Sequence, residues 1–138
     1  MHIARSFRNL ITTGVAVLIM GGCGGSKKPT APLSNFQPEI VSIQDNFQFQ
    51  ATNLDNVSAT VQYMWANSGN RASIDHSSAV TAGTTSVTLF DANGAQVYTS
   101  GLLASGTQQA DSGAAGDWLV RVILTNCSGT LNFRAQKL

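Results

Sequence analysis

Charge, cysteine and histidine are all scarce in this chain. Only 11% of its 138 residues are charged, and 8 Lys+Arg against 7 Asp+Glu leave a formal net charge of +1. So flat a balance excludes a dedicated nucleic-acid binder, which needs a concentrated basic surface. The 2 cysteines, Cys23 and Cys127, are too few for a disulfide scaffold, and the 2 histidines are His2 and His76. No apolar run approaches the roughly 20 residues that a membrane-crossing helix requires. What is abundant is hydrophobic residues at 43%, which excludes a charge-solvated disordered chain. Most of the remaining polarity comes from Ser, Thr, Asn and Gln.

The amino terminus reads as a targeting segment. Arg5 and Arg8 form a basic start, and Leu10 to Met20 is an uncharged apolar run. At about 1.5 Å per residue that run falls well short of a hydrocarbon core of roughly 30 Å, so it is a signal-peptide core over residues 1–22. It ends Met20-Gly21-Gly22-Cys23, small residues directly before a cysteine. This resembles the bacterial lipobox, and the resemblance implies acylation of the Cys23 sulfur, cleavage before Cys23 and membrane attachment through the lipid. With Gly24 after the cysteine, the resemblance implies an outer-membrane address in a Gram-negative cell, and otherwise the outer face of the plasma membrane. Several acyl chains at about 0.8 kcal/mol per buried CH₂ hold such an anchor stably. Residues 23–38, with Lys27, Lys28, Pro29, Pro32 and Pro38 and no hydrophobic period, read as a flexible tether.

From Glu39 to Leu138 the period is two, which predicts an all-β domain. Phe47, Phe49 and Ala51 alternate with Gln48, Gln50 and Thr52; Ala59, Val61, Tyr63 and Trp65 alternate with Thr60, Gln62 and Met64. Ala72, Ile74 and His76 form a third segment, and Ser86–Phe90 with Ala95–Thr99 flank Asp91-Ala92-Asn93-Gly94, a hairpin turn of the type I plus bulge kind. Trp118–Thr125 is apolar on both faces, through Trp118, Val120, Val122 and Leu124 on one and Leu119 and Ile123 on the other. Ser128-Gly129 reads as a turn into Leu131, Phe133 and Ala135. About eight antiparallel strands predict a single, jelly-roll-like β-sandwich. The expected core is Phe47, Phe49, Val61, Tyr63, Val87, Leu89, Trp118, Val120, Val122, Leu124, Leu131 and Phe133.

Three segments carry a resemblance: Ser86–Gly94 ending in D-x-x-G, Ala114–Val122 with its Gly116-Asp117-Trp118 start, and Ser128-Gly129 with Phe133. Together they resemble the bacterial pre-peptidase C-terminal domain and the related P-domain sandwiches over roughly residues 45–136. The resemblance implies a sandwich that serves as an accessory to secreted enzymes and binds matrix or polysaccharide, sometimes with calcium. The acidic pair that often precedes the D-x-x-G strand is missing here, since residues 82–86 carry no carboxylate.

Catalytic signatures are absent: there is no G-x-S-x-G elbow, no H-E-x-x-H and no Walker loop. Asp75-His76 beside Ser77-Ser78 does not make a triad, because neighbours on a strand point to opposite faces. The reading is of a protein that is not an enzyme and needs no cofactor. Cys127 reads as a small buried hydrophobe. Candidate ligand-facing residues are Trp65, whose ring suits stacking on a sugar, and Asp111 and Asp117, which flank a Gly-rich loop. The loops Leu103–Gly116 and Asn67–Asn70 are the expected ligand surface. The functional expectation is a non-catalytic envelope lipoprotein that binds an envelope or extracellular polymer or protein. Its alternatives are a subunit of a larger surface assembly, through Leu119 and Ile123, or an accessory domain to a secreted hydrolase.

Overall fold

The computed structural model describes residues 29–103 and 105–138. The signal segment and Cys23 lie outside the described residues. After a single 3₁₀ turn, Leu33–Phe36, seven strands follow: β1 (Glu39–Ile43), β2 (Asn46–Asn67), β3 (Ala72–His76), β4 (Ala79–Phe90), β5 (Gln96–Ser100), β6 (Gly106–Gln109) and β7 (Gly116–Lys137). All named pairings are antiparallel.

β2 and β7 are each 22 residues long and pair with one another from end to end. The ladder is broken by register shifts between Ala51 and Ala59, and there the two-stranded ribbon bends. Phe47 and Tyr63 stand sixteen positions apart on β2, a span of roughly 50 Å in a straight strand at about 3.3 Å per residue. Their ring centroids are instead 5.8 Å apart, and Phe49 lies 6.1 Å from the same tyrosine. The ribbon has therefore folded over on itself, and its halves belong to two facing leaves. The first leaf runs β1, the start of β2, the end of β7, β3, β6. The second runs the end of β2, the start of β7, β4, β5. This is the all-β sandwich-like architecture.

The sequence around the bend explains it. Asn53, Asn56 and Asn126 have φ of 55°, 52° and 48°, the left-handed region that Asn tolerates better than most residues. Asn56-Val57-Ser58-Ala59-Thr60-Val61-Gln62-Tyr63 recurs in type as Asn126-Cys127-Ser128-Gly129-Thr130-Leu131-Asn132-Phe133, with the two asparagines separated by 70 positions. The two copies meet antiparallel with Val57 opposite Cys127. Their contacts are reciprocal. Asn56 N donates to Ser128 Oγ at 2.9 Å, Asn126 N donates to Ser58 Oγ at 2.9 Å, and Asn126 Nδ2 donates to Asn56 Oδ1 at 3.0 Å. Each serine thus satisfies an N–H that the bulge removes from the ladder.

Ten of the twelve expected core residues are buried; Val61 and Tyr63 are only half-buried, on the part of β2 that no strand but β7 flanks. Three expectations need correction. Ser128-Gly129 is a bulge within β7, not a turn, so the segments expected as separate strands fuse into β2 and β7. The two fusions remove two strands, and β1 and β6, which no alternation in the sequence marks, bring the total to seven where about eight were expected. The tether also stops short of Pro38: Ala31 bridges Val57, Ala31 N donates to Asn56 O at 3.0 Å, and Leu33 is 5% exposed.

Candidate functional site

No pocket opens among the described residues, and no group of three His, Cys, Asp or Glu among them is placed to hold a metal ion. The chemistry available is that of surfaces. Two stand out: the loop end of the sandwich and the outer face of the first leaf.

At the loop end, the expected loops do meet. Gly113 N donates to Asn70 O at 2.7 Å, which joins the loop before β7 to the loop after β2. Asp91 locks both to the β4–β5 hairpin. One carboxylate oxygen accepts from Asn93 N and Ala95 N, and the other from Ala114 N at 2.8 Å. The Ala114 and Ala95 N–H groups, ahead of opposing desolvation, hold the Asp91 carboxyl below its ordinary range. Gly94, at φ 82°, closes the turn as the D-x-x-G pattern predicts. Gly113 is required by space: a Cβ there would lie 2.7 Å from Asp91 Cβ and 2.8 Å from Val97 Cγ1. The result is a braced loop cluster.

Of the residues expected to face a ligand, Asp111 and Asp117 are exposed, while Trp65 is not. Trp65 is fully buried, packed edge-to-face against Trp118 with centroids 5.7 Å apart. The reason is register, since Trp65 pairs directly with Trp118 on the inner side of the second leaf. Its ring belongs to the core and is closed to stacking on a sugar. Trp118 Nε1 donates to Ala114 O at 2.8 Å, so this tryptophan pair also seats the braced loop.

The outer face of the first leaf was missed by motif reading. Strand register assembles it in rows. One row runs Glu39–Gln50–Asn132, a second Val41–Gln48–Arg134–Asp75–Thr107, a third Ile43–Asn46–Gln136–Ser73–Gln109, with Val41 and Ile43 exposed at the β1 edge. Their strand neighbours Phe47, Phe49, Phe133, Ala135 and Ile74 point into the core, which puts the amides outward. Gln48, Gln50, Asn132 and Gln136 engage no hydrogen-bond partner through their side chains among the described residues. Thr107 Oγ1 donates to Asp75 Oδ1 at 2.5 Å, and Arg71 donates to Gln109 Oε1 at 3.1 Å. Each free amide offers two N–H donors and a carbonyl acceptor on a nearly neutral surface. Alternation of Gln and Asn with aromatics was visible in the sequence; that the four strands align them into rows was not.

The outer face of the second leaf differs. Met64, Leu119 and Phe90 lie in one row, Ile123 sits nearby, and the Arg121 guanidinium stacks 4.7 Å from the Phe90 ring centroid. Met64 is 57% and Ile123 37% exposed.

Cys127 is fully buried opposite Val57, and burial pushes its thiol pKa up, so it stays protonated and unreactive. His76 is buried too, and its side chain points to the inner side of β3, away from Asp75 on the outer face. No family model matches the chain, and no curated protein matches it either.

Proposed function

We propose that this chain is a non-catalytic cell-envelope lipoprotein, anchored through acylated Cys23, whose sandwich binds a neutral, hydroxyl-rich envelope or extracellular polysaccharide. The observation that carries the binding half is the amide-rich outer face of the first leaf. Four free side-chain amides stand in strand-registered rows on a surface with little net charge. Amides that both donate and accept match the hydroxyls of a sugar chain. Lipid attachment is supported by the basic start, short apolar core and small residues that precede Cys23. The resemblance to pre-peptidase C-terminal sandwiches supports the same reading.

Pull-down on insoluble cell-wall and matrix polysaccharides tests the binding. A Gln48→Ala, Gln136→Ala double variant should lose retention while keeping the wild-type unfolding midpoint, since surface substitutions usually stay within about 0.5 kcal/mol. Retention that survives in the variant, or none in the wild type, overturns it. Intact mass of the membrane-extracted protein tests the anchor: it should show a chain beginning at Cys23 with added acyl mass.

A second reading, a subunit of a larger assembly, draws on the exposed Met64 and Ile123 and the half-buried Leu119 of the other leaf. A stable oligomer in light scattering, dispersed by Leu119→Ser, would favour it.

A further inference from the structure

His76 joins three strands and both leaves. It ends β3 in the first leaf and is 4% exposed. Its Nε2 lies 2.5 Å from the hydroxyl of Tyr98 on β5, in the second leaf, and that hydroxyl donates to Gln108 Oε1 on β6 at 2.8 Å. With the Tyr98 proton committed to Gln108, Nε2 must be the donor to Tyr98. That makes Nδ1 the unprotonated nitrogen, and Nδ1 is buried with no partner. The neutral ring therefore fits the site at the cost of one idle acceptor. The protonated ring does not, because its second N–H would point into a buried place where no protein acceptor stands within hydrogen-bond reach among the described residues.

The strands tied by this contact are the least supported in the sandwich. β5 pairs only with β4, and β6 pairs only with β3, each over four register pairs. The charged and titratable groups around His76 are few. Asp75 precedes it on β3 and favours the imidazolium; Arg134 on β7 stands opposite Asp75 on the outer face; Tyr98 is the group on β5; β6 brings Thr107, Gln108 and Gln109, all uncharged. Desolvation outweighs Asp75 and lowers the His76 pKa from its ordinary 6.5.

We infer that His76 is a proton-operated latch: mild acid, by charging its ring at the partnerless Nδ1, favours states in which the imidazolium leaves its buried seat beside Tyr98, and so loosens the edge strands β5 and β6 from an otherwise intact sandwich. The inference stands whether or not the amide face binds a polymer. The sign follows from linkage. A group whose folded pKa is depressed contributes in full above its unfolded value, near 6.5, and the contribution is lost as pH falls through the folded value.

Hydrogen exchange on the full-length chain in detergent, read by mass spectrometry from pH 7.5 to 5.0 and corrected for intrinsic rates, tests it. Opening of β5 and β6 should rise relative to β7 by up to about thirtyfold, the ceiling for a group with an unfolded pKa near 6.5. His76→Phe should flatten that dependence, and His76→Gln serves if the phenylalanine variant does not fold. The imidazole signal of His76 should titrate below 6.5, over the same pH range as the exchange. A flat wild-type ratio, a pH dependence that persists without the histidine, or titration at or above 6.5 would overturn the inference.

Discussion

β2 and β7 are equal in length and share the Asn-x-Ser-small-Thr bend, yet they occupy different places. β7 is flanked throughout, by β2 on one side and by β3 and β4 on the other. β2 has β7 along its whole length but β1 only along its start. The difference shows in the side chains. On the outer side β7 carries Leu119 and Ile123 around Arg121, while β2 carries one apolar residue, Met64, beside Thr60 and Gln62. The bend motif differs at one telling position. Gly129 on β7 corresponds to Ala59 on β2, and a Cβ on Gly129 would lie 2.3 Å from Ala79 O on β4. The β4 backbone beside it and its own φ of 121°, which Ala59 does not share, together make that glycine necessary.

The comparison can be broken first at the tryptophans, one on each strand. Trp118→Ala and Trp65→Ala should each cost about 3–5 kcal/mol in urea unfolding, since both rings are fully buried. The phenylalanine variants separate the strands. Trp118→Phe removes the shorter of the two hydrogen bonds to Ala114 O, leaving the one from Ala92 N at 3.3 Å, and should cost about 1 kcal/mol more than Trp65→Phe, because Trp65 Nε1 has no partner to lose.

Next comes the glycine. Gly129→Ala should cost about 3 kcal/mol or more, combining positive-φ strain at 121° with overlap on the β4 backbone. The reverse change at the matching position, Ala59→Gly, should cost only about 0.5–1 kcal/mol. Equal penalties at the two sites would mean that neither the positive φ nor the β4 backbone singles out position 129.

The serines sharpen the symmetry. Ser128→Ala removes a part-buried hydrogen-bond acceptor of the Asn56 N–H and should cost about 1–2 kcal/mol, while Ser58→Ala removes an exposed one that water replaces and should cost less.

The smallest effect at neutral pH comes from acid titration of the carboxylates that staple the strand ends. The Asp45 carboxyl is held below its ordinary 3.8 by Ser68 N–H first and then by Lys137 at the end of β7; Asp91 is held low by Ala114 and Ala95. Depressed folded values mean stability that is full above about pH 3.8 and falls away as pH drops through them. The midpoint in urea should therefore be flat with respect to these groups above pH 5 and decline below pH 4, less steeply in Asp91→Asn.

Strand identity was legible because burial imposes period two, and Phe47, Phe49, Val120, Val122 and Phe133 carried it plainly. The Asp91–Gly94 turn was legible because few residues close such a hairpin. The bend was not: Asn56 and Asn126 look like ordinary loop residues until the register sets Val57 against Cys127. Trp65 was misread for the same reason, since a strand aromatic announces its period but not which side is covered. The amide rows required four strands to be aligned, and no local pattern encodes that alignment.

The fused strands have a kinetic consequence. β7 follows every other strand in the sequence, yet both leaves are built around it. While the chain is being made, β1 and β2 can form a hairpin and β4 and β5 another, but neither leaf has a centre until β7 emerges. Its pairing with β2 closes a long loop, which makes that step slow and late. Neither leaf can therefore close before β7 has been made, so the last strand of the sandwich to be synthesised is also the one that completes both of its halves.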